Sequence, residues 1–231
     1  MDTGLVVVTG AAGALGKAVA AAFLAQGARV LAVDINAEVL QAAYGNDERV
    51  RTLAADLVDA GKAKAALETA LREAGPAAVL CNIAGGFDMG PAVHEDDVGL
   101  WRRMMDLNVA TLVNASAAVV PGMIAAGGGR IVNVAAASAV SGKAAMGAYI
   151  ASKSAVARLT ESMAQELRGR GINVNAVAPS ILDTPANRAA MPDADPAQWV
   201  ALADLAAVIL FLASPQARAV HGAVLPVVGL S

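Results

Sequence analysis

The chain is poor in the residues that staple, ligate or carry charge: one cysteine, two histidines and 16% charged residues in 231 positions. A lone Cys81 closes no internal disulfide, which excludes a disulfide-stapled scaffold and fits a reducing cytoplasm. His94 and His221 stand far apart and share no metal-ligand spacing, so no metal site is expected. Cys81 sits in an apolar run that disfavours its thiolate, and it receives no nucleophilic role. A basic excess is also missing. The net charge is −3 and no lysine or arginine run occurs, so nucleic acid is not an expected partner. Met1-Asp2 opens the chain without a basic region, apolar run and cleavage site, so export is not expected. The charge-free stretch Leu107 to Gly129 has the length to span a bilayer, but Asn108, Asn114, Ser116, Pro121 and several glycines interrupt it. It reads as a buried helix, a turn and a strand, with no membrane partner.

What is abundant is apolar: 57% of residues are hydrophobic, enough for a packed core. The length suits a single domain over residues 1–231. Seven short apolar runs alternate with alanine-rich helical stretches: Leu5 to Thr9, Arg29 to Val33, Val50 to Ala54, Ala78 to Asn82, Arg130 to Ala135, Asn173 to Val177 and Ala223 to Val228. Runs this continuously apolar predict strands covered on both faces, as in a parallel sheet. Helices are expected near Leu15 to Gln26, Ala37 to Tyr44, Gly61 to Ala74, Val98 to Val120, Ala148 to Gly169 and Gln198 to Ala213. The fold class is therefore α/β, a doubly wound Rossmann fold with a seven-stranded parallel sheet. Helix stops are read at Gly27, Gly75-Pro76, Pro121-Gly122 and Gly171. The proline-rich segment near 180–198 reads as a short substrate loop over a site.

Thr9-Gly10-Ala11-Ala12-Gly13-Ala14-Leu15-Gly16 joins the first strand to the first helix. Small residues there let a pyrophosphate approach backbone N–H groups at a helix N-terminus, although a ligand-free tight turn would use the same glycines. Asp34 ends the second strand about 20 residues beyond them, the place of a carboxylate that accepts hydrogen bonds from an adenosine ribose and repels a 2′-phosphate. NAD(H) is favoured and NADP(H) disfavoured; a solvated aspartate before the next helix is the plainer alternative. Asp56, closing the third strand, suits either an adenine contact or helix capping.

Tyr149 and Lys153 stand four apart, on one face of a helix. A cation about 4 Å from a phenol favours phenolate by roughly 4 kcal/mol at an effective dielectric near 20. That pairing would move the phenol toward an acid/base role, while spacing alone favours the plainer reading of two exposed side chains.

The glycine turn, Cys81-Asn82-Ile83-Ala84-Gly85, Asn108, the Tyr149 and Lys153 pair and Ala178-Pro179-Ser180, in that order, resemble the short-chain dehydrogenase/reductase family over essentially the whole chain. The resemblance implies that Tyr149 is the acid/base, that Lys153 holds the nicotinamide ribose and lowers the phenol pKa, and that Asn108 positions a relay water. It further implies coenzyme contacts from Gly10, Ala12, Gly13, Leu15, Gly16, Asp34, Asp56, Leu57, Asn82, Ala84, Gly85, Pro179, Ile181 and Thr184, with Thr184 meeting the carboxamide. For Thr184 a capping role stays open.

Two departures stand out. Ala14 occupies the middle glycine of the usual TGxxxGxG turn, and Ala136 takes the place of the usual serine thirteen residues before the tyrosine. Ser138 and Ser141 are nearby at other spacings; Ser138 is a candidate substitute or a plain loop residue. Both departures, with Leu182-Asp183-Thr184-Pro185-Ala186-Asn187-Arg188, Met191-Pro192-Asp193-Ala194-Asp195 and Trp199, resemble the dihydropteridine reductase branch. That implies NADH-dependent reduction of a conjugated acceptor such as a quinonoid dihydropteridine. Alternatives are a carbonyl reductase or alcohol dehydrogenase for small ketones, and an NAD-binding protein that has lost catalysis. Trp199 reads as core or as a flank for a planar substrate, and Asp183 with Arg188 as a surface pair. The family habit implies a homodimer or homotetramer in the cytoplasm.

Overall fold

The computed structural model describes residues 4–95 and 98–231. Met1 and Asp2, read above for an export signal, lie outside them. Seven strands form one sheet: β1 (Leu5–Thr9), β2 (Arg29–Asp34), β3 (Val50–Ala54), β4 (Ala77–Asn82), β5 (Gly129–Val134), β6 (Ile172–Pro179) and β7 (Val224–Val227). They pair in parallel throughout, in the order β3-β2-β1-β4-β5-β6-β7. The winding direction reverses between β1 and β4, which opens a crevice at their C-terminal ends.

Alternation along each strand feeds two cores. Val6, Val8, Val30 and Ala32 face α1 (Ala14–Ala25), α2 (Ala37–Tyr44) and α8 (Leu202–Leu212), packing on Phe23, Leu40, Leu205 and Ile209. Leu5, Val7, Leu31 and Leu80 face the other way, onto Leu67 of α3 (Ala60–Ala74), Val119 and Met123 of α5 (Thr111–Ala125) and Leu167 of α6 (Gly147–Leu167). Each such side chain contributes roughly 1.5–3 kcal/mol by leaving water. The two-faced burial expected of all seven strands holds for the inner ones. It fails at the edges, where β3 and β7 are half exposed because each has one neighbour and thinner helix cover.

One predicted boundary is wrong in an informative way. The helix expected to stop at Val120 is α4 (Gly99–Met105), a π-helical turn over Asp106–Ala110, and α5 running on through Pro121 to Ala125. Pro121 and Ala117 both lie on the exposed side, so the carbonyl that loses its donor there faces water. The helix stops instead where Gly127 takes a positive φ of 84° and its N–H returns to the Ile124 carbonyl. Gly99–Ala125 has the length and apolarity to cross a membrane. Its inward face, Ala115, Ala118, Val119 and Met123, belongs to the core. A short helix that the sequence did not announce, α7 (Pro185–Ala190), occupies the 180–198 loop.

Candidate active site

The turn after β1 is held by a residue that the sequence reading passed over. The Thr9 hydroxyl accepts the N–H groups of Ile83 and Ala84, each at 3.0 Å, and donates to the Cys81 carbonyl at 3.4 Å, stitching the end of β1 to the end of β4. Gly10 follows at φ +64°, and a Cβ on it would lie 2.8 Å from the Ala84 nitrogen. At Gly16 a Cβ would lie 2.1 Å from the Gly10 carbonyl oxygen, so the first turn of α1 presses against the loop in a way that only glycine permits. The Gly13 N–H closes onto Gly10 O at 3.1 Å. Ala14 simply begins the helix, so the altered glycine pattern leaves the turn intact.

Among the described residues the N–H groups of Ala14, Leu15 and Gly16 have no acceptor, and the first turn of α1 carries no acidic side chain. Free donors at the positive end of a helix dipole, with no Cβ in the way, fit a diphosphate. Leu15 offers only its backbone, since its side chain is in the core. Asp34 lies beside this cradle: Oδ2 accepts the Ala12 N–H at 2.9 Å and Oδ1 the Asn36 N–H at 3.2 Å. Tyr44 supports the same turn, its hydroxyl donating to the Ala11 carbonyl at 2.8 Å.

The second half of the site is built on the π turn and α6. The Asn108 side chain clamps Gly86, accepting its N–H at 2.9 Å and donating to its carbonyl at 3.0 Å. Asn108 also donates to the Ser152 hydroxyl at 3.0 Å, and that hydroxyl donates to the Tyr149 carbonyl at 2.7 Å. The Lys153 ammonium donates to the Val134 carbonyl at the end of β5, at 2.8 Å. A Cβ on Gly85 would lie 2.6 Å from Asn108 Oδ1 and 3.3 Å from Lys153 Nζ. The Asn82 to Gly85 segment, Asn108 and Lys153 therefore converge, and Tyr149 adjoins them through Ser152 and one helical turn. The Phe87 ring meets the Tyr149 ring edge-on, centroids 4.9 Å apart. Beyond it opens a cavity of about 240 Å³ bounded by Pro91, Val93, Val98, Leu100, Trp101 and Met146.

The electrostatics correct one expectation. Burial pushes the Tyr149 phenol up to about 12 and the Lys153 ammonium down to about 8, and no lowering of the phenol by the lysine accompanies them. Spacing of four aligns two Cβ atoms only. The long lysine chain turns to a strand carbonyl, whereas the phenol packs against Phe87.

The remaining candidates are dispersed. Asn82 is buried in a network with Ser116 and Asn133, its Oδ1 lacking a partner among the described residues. Asp56 makes a local turn with the Val58 N–H at 2.9 Å, while capping of α3 falls to Asp59. Leu57 is in the core. Pro179 ends β6, and Ile181 follows it partly exposed. Thr184 caps α7, its hydroxyl accepting the Asn187 N–H at 3.1 Å. Asp183 pairs with Arg188 at 2.6 Å as the surface reading had it. Trp199 is buried and precedes α8, so the helix expected to begin at Gln198 begins three residues after the tryptophan, at Leu202. Ser138 lies partly exposed on the 3₁₀ turn Ala137–Val140 with no hydrogen bond among the described residues. Ala136 is buried and brings no hydroxyl. Thr9, Tyr44, Phe87 and Ser152 went unassigned from sequence; only Ser152, between Tyr149 and Lys153, had a local signal.

Comparison with known proteins agrees with this geometry. The family model described as short chain dehydrogenase matches residues 4–195. The 2-(R)-hydroxypropyl-CoM dehydrogenase of Xanthobacter autotrophicus is 33% identical, over 95% of this chain and 94% of its own. The D-threitol dehydrogenase of Mycolicibacterium smegmatis is 35% identical, over 99% and 93%. Among solved structures, an NAD+-bound xylitol dehydrogenase superposes with a TM-score of 0.90 at 26% identity, covering 99% of this chain and 98% of that one. A gluconate 5-dehydrogenase from Burkholderia cenocepacia, in complex with NADP and tartrate, superposes with a TM-score of 0.91 at 26% identity, covering 99% and 95%. With its single α/β unit, its glycine cradle and its Tyr149 and Lys153 on one helix, this chain belongs to the short-chain dehydrogenase/reductase family of oxidoreductases.

Proposed function

We propose that the protein is an NAD(H)-dependent reductase of a conjugated acceptor, with Tyr149 as proton donor. The observation that carries this reading is the convergence of Gly85, Asn108 and Lys153 beside Tyr149, at the strand ends that also bear the glycine cradle. Bound NADH supplies the hydride equivalent for such a reduction. Gly10, Gly13, Gly16 and the free N–H groups after them hold the diphosphate, with Ala12, Leu15, Asp56, Leu57, Asn82, Ala84, Pro179, Ile181 and Thr184 in the surrounding coenzyme surface.

Asp34 argues for NAD(H) over NADP(H). Its carboxylate is held by two backbone N–H groups, so it cannot swing away from a 2′-phosphate, and like charges in proximity repel. Tyr149, pushed up to about 12, keeps its proton throughout the neutral range and suits donation to the acceptor atom that gains negative charge as hydride arrives. Lys153, near 8, is about 90% charged at pH 7 and supplies the compensating cation once the phenol has given up its proton. Asn108 fixes the backbone through which a relay water would be held.

Ala136 leaves the substrate oxygen without the family's hydroxyl, with Ser138 the nearest substitute by sequence. An acceptor already electron-poor tolerates that loss better than a simple ketone. The cavity beyond Phe87, apolar except for Asp88 on its wall, adds room for a hydrophobic flank. A second reading follows the relatives, which are named as dehydrogenases of hydroxylated small molecules. No relative named here is a dihydropteridine reductase, so quinonoid dihydropteridine stands as one member of the acceptor class.

The test is a steady-state panel with NADH and NADPH against quinonoid dihydropteridine, cyclic enones and simple ketones, and with NAD+ and NADP+ against polyols. The conjugated acceptors should turn over best, with NADH preferred. Asp34→Ser should raise the NADPH-to-NADH ratio of kcat/KM at least tenfold. Selective polyol oxidation would overturn the substrate reading, and an unchanged ratio would remove Asp34 from coenzyme choice.

A further inference from the structure

The opposite end of the sheet carries a second feature that the family reading does not use. A groove of about 880 Å³ runs along the N-terminal ends of β4, β5 and β6, between the C-terminal ends of α1 and α8. Its walls are apolar, from Phe23, Val79, Leu210 and Phe211, with Gln26 and Gln216 at the margin. Phe211 is 46% exposed there, a large apolar side chain left in water. Among the described lining residues the one formal charge is Arg130, and no carboxylate joins it.

Arg130 is poorly satisfied where it stands. Its Nη1 donates to the Gly129 carbonyl at 2.9 Å, but its Nε is buried without a partner among the described residues. A buried charged donor left unpaired is costly, more so than a neutral one. No ion pair among the described residues includes Arg130, Arg168, Arg170 or Arg218. These arginines share one end of the molecule. Arg130 pairs across the sheet with Asn173, whose amide donates to the Arg218 carbonyl, and the fields of Arg168 and Arg130 add to burial in pulling His221 down. Arg130 thus stands as a single cation on the wall of an otherwise uncharged groove, with the other three arginines on the same end of the molecule.

We propose that this groove is a second ligand site, specific for an amphipathic monocarboxylate. The carboxylate pairs with the Arg130 guanidinium at Nη2, the nitrogen neither buried nor hydrogen-bonded among the described residues, and an acyl or aryl body lies along Phe23, Leu210 and Phe211. The volume falls within the range of small-molecule pockets. β5 separates Arg130 from Val134, the strand residue on which Lys153 rests, by roughly 13 Å. The groove is therefore distinct from the catalytic crevice and independent of the substrate assigned above.

Decanoate is the probe, decanol its uncharged counterpart, and calorimetry in saturating NADH the measurement. Decanoate should bind the wild-type protein saturably and at least tenfold more tightly than decanol. Arg130→Gln should weaken decanoate at least tenfold and leave decanol unchanged. Ala207→Phe, at an exposed position of α8 lining the groove, should abolish decanoate binding while keeping Arg130 and NADH affinity; it decides the matter if Arg130→Gln does not fold. Absence of saturable binding, equal affinity for decanol, or wild-type affinity in Ala207→Phe would each overturn the site, the last by sending decanoate to the crevice.

Discussion

At the scale of single residues, the site was legible wherever chemistry rests on one residue type at one spacing. Gly10 and Gly16 announce a turn because no other residue fits, and the structure shows what a Cβ would strike. Tyr149 and Lys153 announce themselves by a helical turn. What spacing could not supply was environment: burial holds the phenol near 12 and the ammonium near 8, where charge pairing alone would have moved the phenol the other way. The lysine shift has a measurable sign. With its folded pKa below the unfolded value, Lys153 costs stability below pH 8, where both states are charged, and the cost fades as pH rises toward 10.5. Urea denaturation of wild type and Lys153→Met across pH 7 to 10.5 should show the wild type gaining up to about 3 kcal/mol relative to the variant. A constant difference would mean that the ammonium is solvated.

At the scale of elements, periodicity found seven strands and the main helices. It missed contacts between residues far apart in the chain. Thr9 acts on Ile83 and Ala84, Tyr44 on Ala11, and Asn108 on Gly86 and Ser152, pairings for which no local pattern exists. The π turn at Asp106–Ala110 was equally hidden, because inserting a residue into a helix leaves the apolar pattern almost unchanged. π turns of this kind gather at functional sites, and this one presents Asn108 to the loop after β4. Asn108→Ala strands the Gly86 N–H and carbonyl and loosens Ser152 beneath Tyr149. It should cost about 1–3 kcal/mol in a denaturation midpoint and lower kcat more than it raises KM. A loss of stability with kcat intact would make Asn108 a structural clamp only. Pro121 teaches the converse lesson: a helix-breaking residue is tolerated where the orphaned carbonyl meets water.

Across the whole molecule, the parallel sheet imposes polarity. Every strand delivers its C-terminal end to one side, and Thr9, Asp34, Asn82 and Val134 meet there with the glycine turn. The other side collects the strand starts, with Arg130 and its groove. Overall topology was readable in advance because continuous apolar runs separated by helices have few other solutions. The groove was not, since it arises from how α1 and α8 end rather than from any motif. The central claim concerns the first side: that a phenol, and not merely a nucleotide cradle, performs the chemistry. The direct measurement is Tyr149→Phe, with NADH affinity by fluorescence titration and turnover on the best acceptor in one preparation. Affinity within threefold of wild type and turnover reduced at least a hundredfold is the predicted result; turnover within tenfold of wild type would contradict the account.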